Sequence, residues 1–425
     1  MLSNTHVIIA IAIFTLTYMA IVSEKINRTA IAIFGAVLML IFNIEAQEVA
    51  VHHVDFNTIG LLVGMMIIVS ILKRTGIFEY MAIKASKYAK GDPWRIIVIF
   101  SILTAVSSAF LDNVTTILLV APVTMVIAKE LKLNPIPFLV PEVLLANIGG
   151  TATLIGDPPN IMIGSATGLG FMDFLVNLGP VVIIITFTTL IILKFIYGKT
   201  LITTEENKQK IFAMDEHLAI KDKVLLIKSL IVLTITVLGF MFHQSFGYES
   251  ATIALFGAAT LLLISKLDPE DILIEIEWPT IFFFISLFIL VGALEDVGAI
   301  HYLAEQMLNL TQGDIFLTAM LILWGSAIAS AFLDNIPFVA TMIPLITSIG
   351  QMSAMSITPL WWALALGACL GGNGTLVGAS ANVIASGMLE KQGFKLSFVE
   401  YMKVGFPLML VSVVISTAYI IVRYL

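Results

Sequence analysis

The chain has 425 residues, 59% of them hydrophobic and 12% charged, about half the ~25% charged content of a water-soluble domain. At a mean hydropathy of +1.02 no single core could cover the apolar surface, which excludes a soluble protein and makes lipid the main solvent. The net charge of −7 carries no basic block, which speaks against nucleic acid, and the lone Cys369 excludes a disulfide framework, a multi-thiolate metal site and a Cys-x-x-Cys redox motif.

Crossing the hydrocarbon of a bilayer takes about 20 apolar residues as a helix. The first such run, 5–22, has no basic residue before it and no small-x-small cleavage site before Lys25 and Arg28. It therefore reads as a retained span rather than a secretory signal. Further runs lie at 28–44 and 57–72, followed by a short mixed stretch, 77–90, read as an interfacial helix. The longer stretch 95–128 carries an aspartate near its middle and is read as a hairpin; 136–168 is interrupted by glycines and is read as a broken helix. After the run 173–197 comes the polar segment 199–222, expected to be a cytoplasmic linker. The pattern then resumes with runs at 224–242, 249–265 and 278–294, an interfacial stretch at 299–310, a second Asp-centred hairpin at 315–350, a second broken helix at 359–388, and a final run at 400–424.

Lysine and arginine placement sets the orientation. With residue 1 outside and each hairpin entering and leaving on one side, every Lys and Arg except Arg423 faces the cytoplasm. Two full spans in place of each re-entrant hairpin would satisfy the charges equally well. Both termini are expected to be extracytoplasmic, in a multi-pass protein of the inner or plasma membrane.

The chain repeats itself at an offset of 222 residues. Ser108-Ala-Phe-Leu-Asp-Asn113 recurs as Ser330-Ala-Phe-Leu-Asp-Asn335; Pro122 maps to Pro344, Gly149-Gly150 to Gly371-Gly372, Thr153 to Thr375, Gly156 to Gly378 and Asn160 to Asn382. Gly76, Tyr80, Gly91 and Asp92 likewise map onto Gly298, Tyr302, Gly313 and Asp314. Five crossings and one hairpin per half insert the second half from the opposite side. The expected fold is thus an all-α polytopic membrane protein of two inverted repeats, 1–198 and 223–425, with discontinuous helices near the midplane, an architecture of many secondary transporters.

Two constellations carry the chemistry. Asp112 and Asp334 sit deep in apolar stretches, where a carboxylate costs at least ~2.5–3.5 kcal/mol unless paired, protonated or wet. They bind a coupling cation, a proton or substrate, or they cap the second helix of each hairpin. The two roles are compatible, since Asn113 and Asn335 can cap while the aspartates bind. The second constellation is Gly149-Gly150-Thr151-Ala-Thr153-Leu-Ile-Gly156-Asp157-Pro-Pro-Asn160, whose glycines break the helix and whose Asp157 can cap a new one with proline in its first turn. Irregular backbone at membrane depth survives only buried or lining a cavity, where its carbonyls suit Na⁺ and its half-helix N-termini suit anions. The repeat, Gly371-Gly372-Asn373-Gly-Thr375-Leu-Val-Gly378-Ala379-Ser-Ala-Asn382, has Ala379 where Asp157 stands, so the half-sites are not equivalent. Glu142, after Pro141, reads as an interfacial helix start ahead of a pathway carboxylate, Cys369 as a packing residue, and His52, His53, His243 and His301 as lying outside or at interfaces, no pair of them having metal-ligand spacing on a helix. No G-x-x-x-x-G-K-[ST], H-E-x-x-H or G-x-S-x-G is present. An enzyme would have to be an intramembrane aspartyl protease using Asp112 and Asp334 as a dyad, and Leu154-Ile-Gly-Asp157 lacks the Gly-x-Gly-Asp form expected there.

These motifs, quoted in both halves and spanning nearly the whole chain, resemble the arsenite-permease and melanosomal P-protein branch of the ion transporter superfamily, which also holds sodium/proton antiporters and sodium-coupled dicarboxylate symporters. The resemblance implies a homodimer with a scaffold domain and a mobile transport domain that carries hairpins and broken helices as an elevator. It places ion and substrate contacts at Ser108, Asp112, Asn113, Ser330, Asp334, Asn335 and the two glycine-rich breaks, with Na⁺ a candidate at Asp112, Asn113, Asp334 and Asn335. Dicarboxylate symporters carry Ser-Asn-Thr at each tip; here Asp112-Asn113-Val114 and Asp334-Asn335-Ile336 would repel a dianion. The expected function is proton- or cation-coupled export of arsenite, antimonite or another small inorganic ion. Na⁺/H⁺ antiport is the alternative, and dicarboxylate symport ranks below it. No cofactor is expected beyond a coupling H⁺ or Na⁺. The arsenite permeases can associate with a separate ATPase.

Overall fold

A computed structural model describes residues 4–23, 25–198, 201–353 and 355–425. Among these the regular structure is helical. The first half runs α1 (Asn4–Val22), α2 (Arg28–Ile41), α3 (Gln47–His53), α4 (Phe56–Arg74), α5 (Ile77–Tyr88), α6 (Pro93–Phe110), α7 (Asn113–Glu130), α8 (Ile136–Gly150), α9 (Pro158–Thr167) and α10 (Phe171–Tyr197). A linker helix, α11 (Glu205–Ala213), and a 3₁₀ turn, Glu216–Ala219, lead into the second half. That half runs α12 (Lys223–Phe246), α13 (Ser250–Ser265), α14 (Pro269–Leu273), α15 (Trp278–Asp296), α16 (Ala299–Thr311), α17 (Ile315–Phe332), α18 (Asn335–Met352), α19 (Thr358–Gly371), α20 (Ser380–Lys391) and α21 (Phe398–Tyr424). Ten of these, α1, α4, α6, α7, α10, α12, α15, α17, α18 and α21, are long and apolar enough to cross a membrane. The repeat is visible element by element: Phe56 and Trp278, Pro93 and Ile315, Asn113 and Asn335, Ile136 and Thr358, and Pro158 and Ser380 open helices at the same offset.

Much of the sequence identity between the halves is turn chemistry. Gly76 and Gly298 hold φ of 79° and 80° between a long helix and the short one that follows, a left-handed conformation that favours glycine. Asp92 and Asp314 then start the first limb of each hairpin, accepting from the amides of Arg95 and Leu317 at 2.8 Å in both cases. Each hairpin is two 18-residue helices, about 27 Å per limb. Both tips end inside the molecule, level with the helix breaks. The Thr153 hydroxyl donates to the carbonyl of Ala109, and the Thr375 hydroxyl to that of Ala331.

Close approach between helices comes from small residues. Gly60 and Gly64, one turn apart on α4, meet Ala251 and Ala254 of α13, and a Cβ on Gly64 would lie 2.7 Å from the Ala254 backbone. With lipid as apolar as the side chains, such contacts supply dispersion that bulky residues would block. The α4–α13 and α2–α15 pairs form one packed group; α6 on α8 and α17 on α19 form the other.

Two features were not anticipated and one expectation needs correction. The short α3 and α14 have no counterpart in the sequence reading. The segment 199–222 is fastened to the first repeat: Ile211 is fully buried among Ala82, Phe100, Ile127 and Phe138, and Lys221 donates its amide to the carbonyl of Thr75 at 3.0 Å. Lys87 also hydrogen-bonds Glu216 and holds that carboxyl below the usual carboxylate range. Residues 199 and 200 of this segment, and 1–3 of the first repeat, lie outside the described residues. Finally, Glu142 is not an interfacial helix start. It is fully buried on the second turn of α8 and accepts from the Thr124 hydroxyl at 2.7 Å.

Candidate functional site

The helix breaks at 151–157 and 372–379 arise where glycines, joined in the first by Pro158 and Pro159, remove the reasons to stay helical. One asparagine closes each unwound segment by bonding two of its carbonyls. Asn160 donates its amide to the carbonyls of Thr151 and Thr153 at 3.1 and 2.8 Å, and Asn382 to those of Gly372 and Thr375 at 2.8 Å each. The glycines permit backbone contact with the hairpins. A Cβ on Gly149 would lie 2.1 Å from the carbonyl oxygen of Ala105, and one on Gly371 2.5 Å from that of Ala327. Gly150 packs on Gly156 and Gly372 on Gly378 within each break, and Gly156 and Gly378 also meet the carbonyls of Ser108 and Ser330. These glycines serve close packing, which accounts for their recurrence without any ligand.

Polar side chains tie the two repeats together reciprocally. Asn113, at the first hairpin tip, donates to the Asn147 carbonyl oxygen at 3.0 Å, and the Asn147 amide donates onward to Asn373 and Asn382 at 2.9 and 3.0 Å. The second tip answers in the other direction, with Asn335 donating to Asp157 at 3.2 Å. Cys369, the counterpart of Asn147 at the repeat offset, places its thiol 3.6 Å from the Asn160 carbonyl oxygen. All of these side chains are buried. Thr151 bonds back to the Asn147 carbonyl and Ser330 to that of Ala368. The Ser108 hydroxyl is buried without a hydrogen-bond partner.

Of the two roles open to the tip aspartates, the structure shows capping, which falls to them rather than to the asparagines. Asp112 is itself the N-cap of α7, accepting from the Thr115 amide at 2.8 Å and from its hydroxyl, and Asp334 caps α18 through the Ile336 amide at 3.3 Å. Of the asparagines that follow, Asn335 reaches Asp157 of the opposite repeat directly, whereas Asn113 reaches that repeat only through Asn147. Asp157 precedes Pro158 and Pro159 as expected, yet its side chain makes no capping bond and receives Asn335 instead.

The two half-sites differ in charge. Arg28 forms an ion pair with Asp334 and donates to Ser380 at 2.7 Å, while Ser380 donates to Asp334 at 3.0 Å. The guanidinium also lies 5.2 Å from the Phe283 ring centroid. Arg28, Asp334 and Ser380, with Tyr18 and Lys25, line a cavity of about 390 Å³. Asp112 has no such cation among the described residues: Ser250 occupies the position equivalent to Arg28, and Pro158 that equivalent to Ser380. Sequence reasoning used Arg28 only for orientation and missed Ser380 and Asn147. A signal for Arg28 was present, because a cation in the first turn of a helix opposes the helix dipole and calls for a carboxylate partner.

Glu277, the residue before α15, belongs to the same neighbourhood. Burial pushes its carboxyl above the ordinary carboxylate range and the charge of Asp112 adds to this, while the Thr280 hydroxyl and Arg28 pull it down. A carboxyl raised by folding stabilises fully below its unfolded value, and that contribution is lost as pH rises through the folded value. Glu277→Gln is therefore expected to melt higher than the parent protein at pH 8 and to show a flatter dependence between pH 5 and 8. Thermal unfolding across that range checks it.

Comparison with known proteins agrees with this architecture. Residues 18–367 match the family model described as citrate transporter, CitMHS. An uncharacterized transporter of Mycobacterium tuberculosis is 42% identical over 427 residues, covering 98% of each chain. The 46 kDa membrane protein of Mycobacterium leprae is 41% identical over 424 residues, 98% of this chain and 99% of that one. The P protein of Homo sapiens is 34% identical over 505 residues, 99% of this chain and 60% of its own length, in line with the resemblance carried by the motifs. The YdaH transporter of Alcanivorax borkumensis, whose crystal structure is described as an unusual topology, shares the fold with a TM-score of 0.60 over 98% of each chain at 11% identity. With its repeated helices, reciprocal tips and matched relatives, the chain belongs to the CitMHS citrate-transporter family of membrane transporters.

Proposed function

We propose that this protein is a secondary active transporter in which both hairpin tips and both helix breaks form one site for a small inorganic ion, coupled to H⁺ or Na⁺. The observation that carries this function is the reciprocal contact of each tip with the opposite repeat, Asn113 through Asn147 to Asn373 and Asn382, and Asn335 to Asp157. Such exchange between inverted halves lets two shapes of one site interconvert. In this proposal the hairpins and broken helices move as an elevator against a dimeric scaffold built on α2, α4, α13 and α15. The linker faces the cytoplasm, both termini lie outside, and the site residues named from the sequence act through the tips and breaks.

Arsenite or antimonite, exported against the proton gradient, is the first substrate class to test. Arg28 neutralises Asp334, and the buried amides beyond are uncharged, an environment suited to a neutral hydroxylated solute more than to a dianion. A specific observation also supports Na⁺/H⁺ antiport: Asp112 and Asp157 accept from a threonine and an asparagine, with no lysine or arginine in ion-pair range among the described residues. Proteoliposomes loaded with a pH gradient separate the two. Arsenite accumulation driven by protons is the expected result. A pH-dependent Na⁺ flux indifferent to arsenite selects the antiporter, and flux that ignores every gradient overturns both. The purified protein's mass in detergent checks the dimer, and co-purification checks for a separate ATPase.

A further inference from the structure

A second cluster of ligating side chains lies away from the tips, where the α2–α3 loop meets the end of α15. Glu45, in that loop, has a side chain only 1% exposed, and neither carboxylate oxygen has a hydrogen-bond partner. His53, the last residue of α3, places Nε2 3.5 Å from Glu45 and 3.2 Å from Asp296, the last residue of α15. One donor atom from each of the three residues lies within 4.8 Å of the others.

The chemistry leaves a charge to be balanced. A neutral imidazole has one Nε2 hydrogen and satisfies one carboxylate at a time. With that hydrogen on Asp296, the buried Glu45 carboxylate sits without a donor. A divalent cation at the centre of the triangle would cancel both negative charges and satisfy all three groups together.

The spacing fits. Bonds of about 2.0–2.1 Å to nitrogen and oxygen in tetrahedral geometry place neighbouring ligands about 3.3 Å apart, against the 3.2 and 3.5 Å found here. The His53 ring is held flat against Gly292, where a Cβ would come within 2.2 Å of it. It also lines a cavity of about 330 Å³ that gives a route in, and the Asp296 side chain is 34% exposed, leaving room for water as the fourth ligand.

We propose that Glu45, His53 and Asp296 bind a divalent transition cation of the Zn²⁺ class, clamping α3 of the first repeat to α15 of the second. No histidine pair is involved, so helical spacing alone gave no sign of it.

The test uses the full-length protein, stripped with EDTA and titrated with Zn²⁺ alone, with Mg²⁺ and Ca²⁺ as controls. One Zn²⁺ per chain by elemental analysis and a saturable rise in melting temperature are expected. Asp296→Asn, the most exposed ligand and the variant least at risk of misfolding, is expected to weaken apparent affinity at least tenfold, and Glu45→Gln to abolish the shift. Absence of retained zinc with no Zn²⁺-dependent shift, or a shift unchanged in Asp296→Asn, overturns the site. These readouts involve no transport and stand apart from the choice of substrate.

Discussion

Asn147→Leu is expected to yield little or no monodisperse protein. The substitution keeps the branched four-atom shape of the side chain but leaves Asn113 without its acceptor and Asn373 and Asn382 without their donor, all in a region closed to water. Each buried polar group so orphaned costs about 1–3 kcal/mol, and three together approach the 5–15 kcal/mol that a folded domain has in reserve. Size-exclusion profiles in mild detergent and melting temperature check this. Cys369→Ala is the internal control. It sits at the equivalent place in the second repeat, its thiol is a weak donor at 3.6 Å, and its loss is expected to cost about 1 kcal/mol or less.

Asp112→Asn and Asp334→Asn are expected to separate charge from architecture. Asparagine caps a helix as well as aspartate does, so α7 and α18 keep their first turns. Asp334→Asn also breaks the ion pair to Arg28, whose side chain is 33% exposed, a loss of about 1 kcal/mol or less once solvent screening is allowed for. Melting temperatures should therefore move by only a few degrees, whereas coupled transport should fall at least ~100-fold if the carboxylates carry protons or cations through the cycle. Transport at parental rates in both variants would leave capping as the full account of these residues. Arg28→Gln completes the set: it frees Asp334 without touching a cap.

The repeat offset made the fold legible before any coordinates. Helix starts from Phe56 to Pro158 reappear in register, and Gly76, Gly91 and Asp92 announce the turns that separate them. Periodicity and punctuation are local properties, and a sequence displays them directly. The centre of the molecule was only half readable for the opposite reason. Offset arithmetic pairs equivalent positions, whereas the contacts that build the site join non-equivalent ones, such as Asn335 with Asp157 or Arg28 with Asp334. Asn147 stood unremarked within an apolar run because its counterpart is a cysteine. Glu142 likewise has Leu364 as its counterpart, so its burial was hidden by the proline beside it. His53 could not be linked to Glu45 and Asp296 until α15 was laid beside α3.

The fastening of the interrepeat segment alters where the two halves actually join. A Cβ on Gly76 would strike the carbonyl oxygen of Ala219, Lys221 donates to Thr75, and Lys87 holds Glu216. By the time the polypeptide reaches Asp222, which caps α12, it is already anchored to the corner between α4 and α5. The seam is thus a step of one residue instead of a 24-residue leash, and any tilting of that corner is handed straight to the opening turn of the second copy.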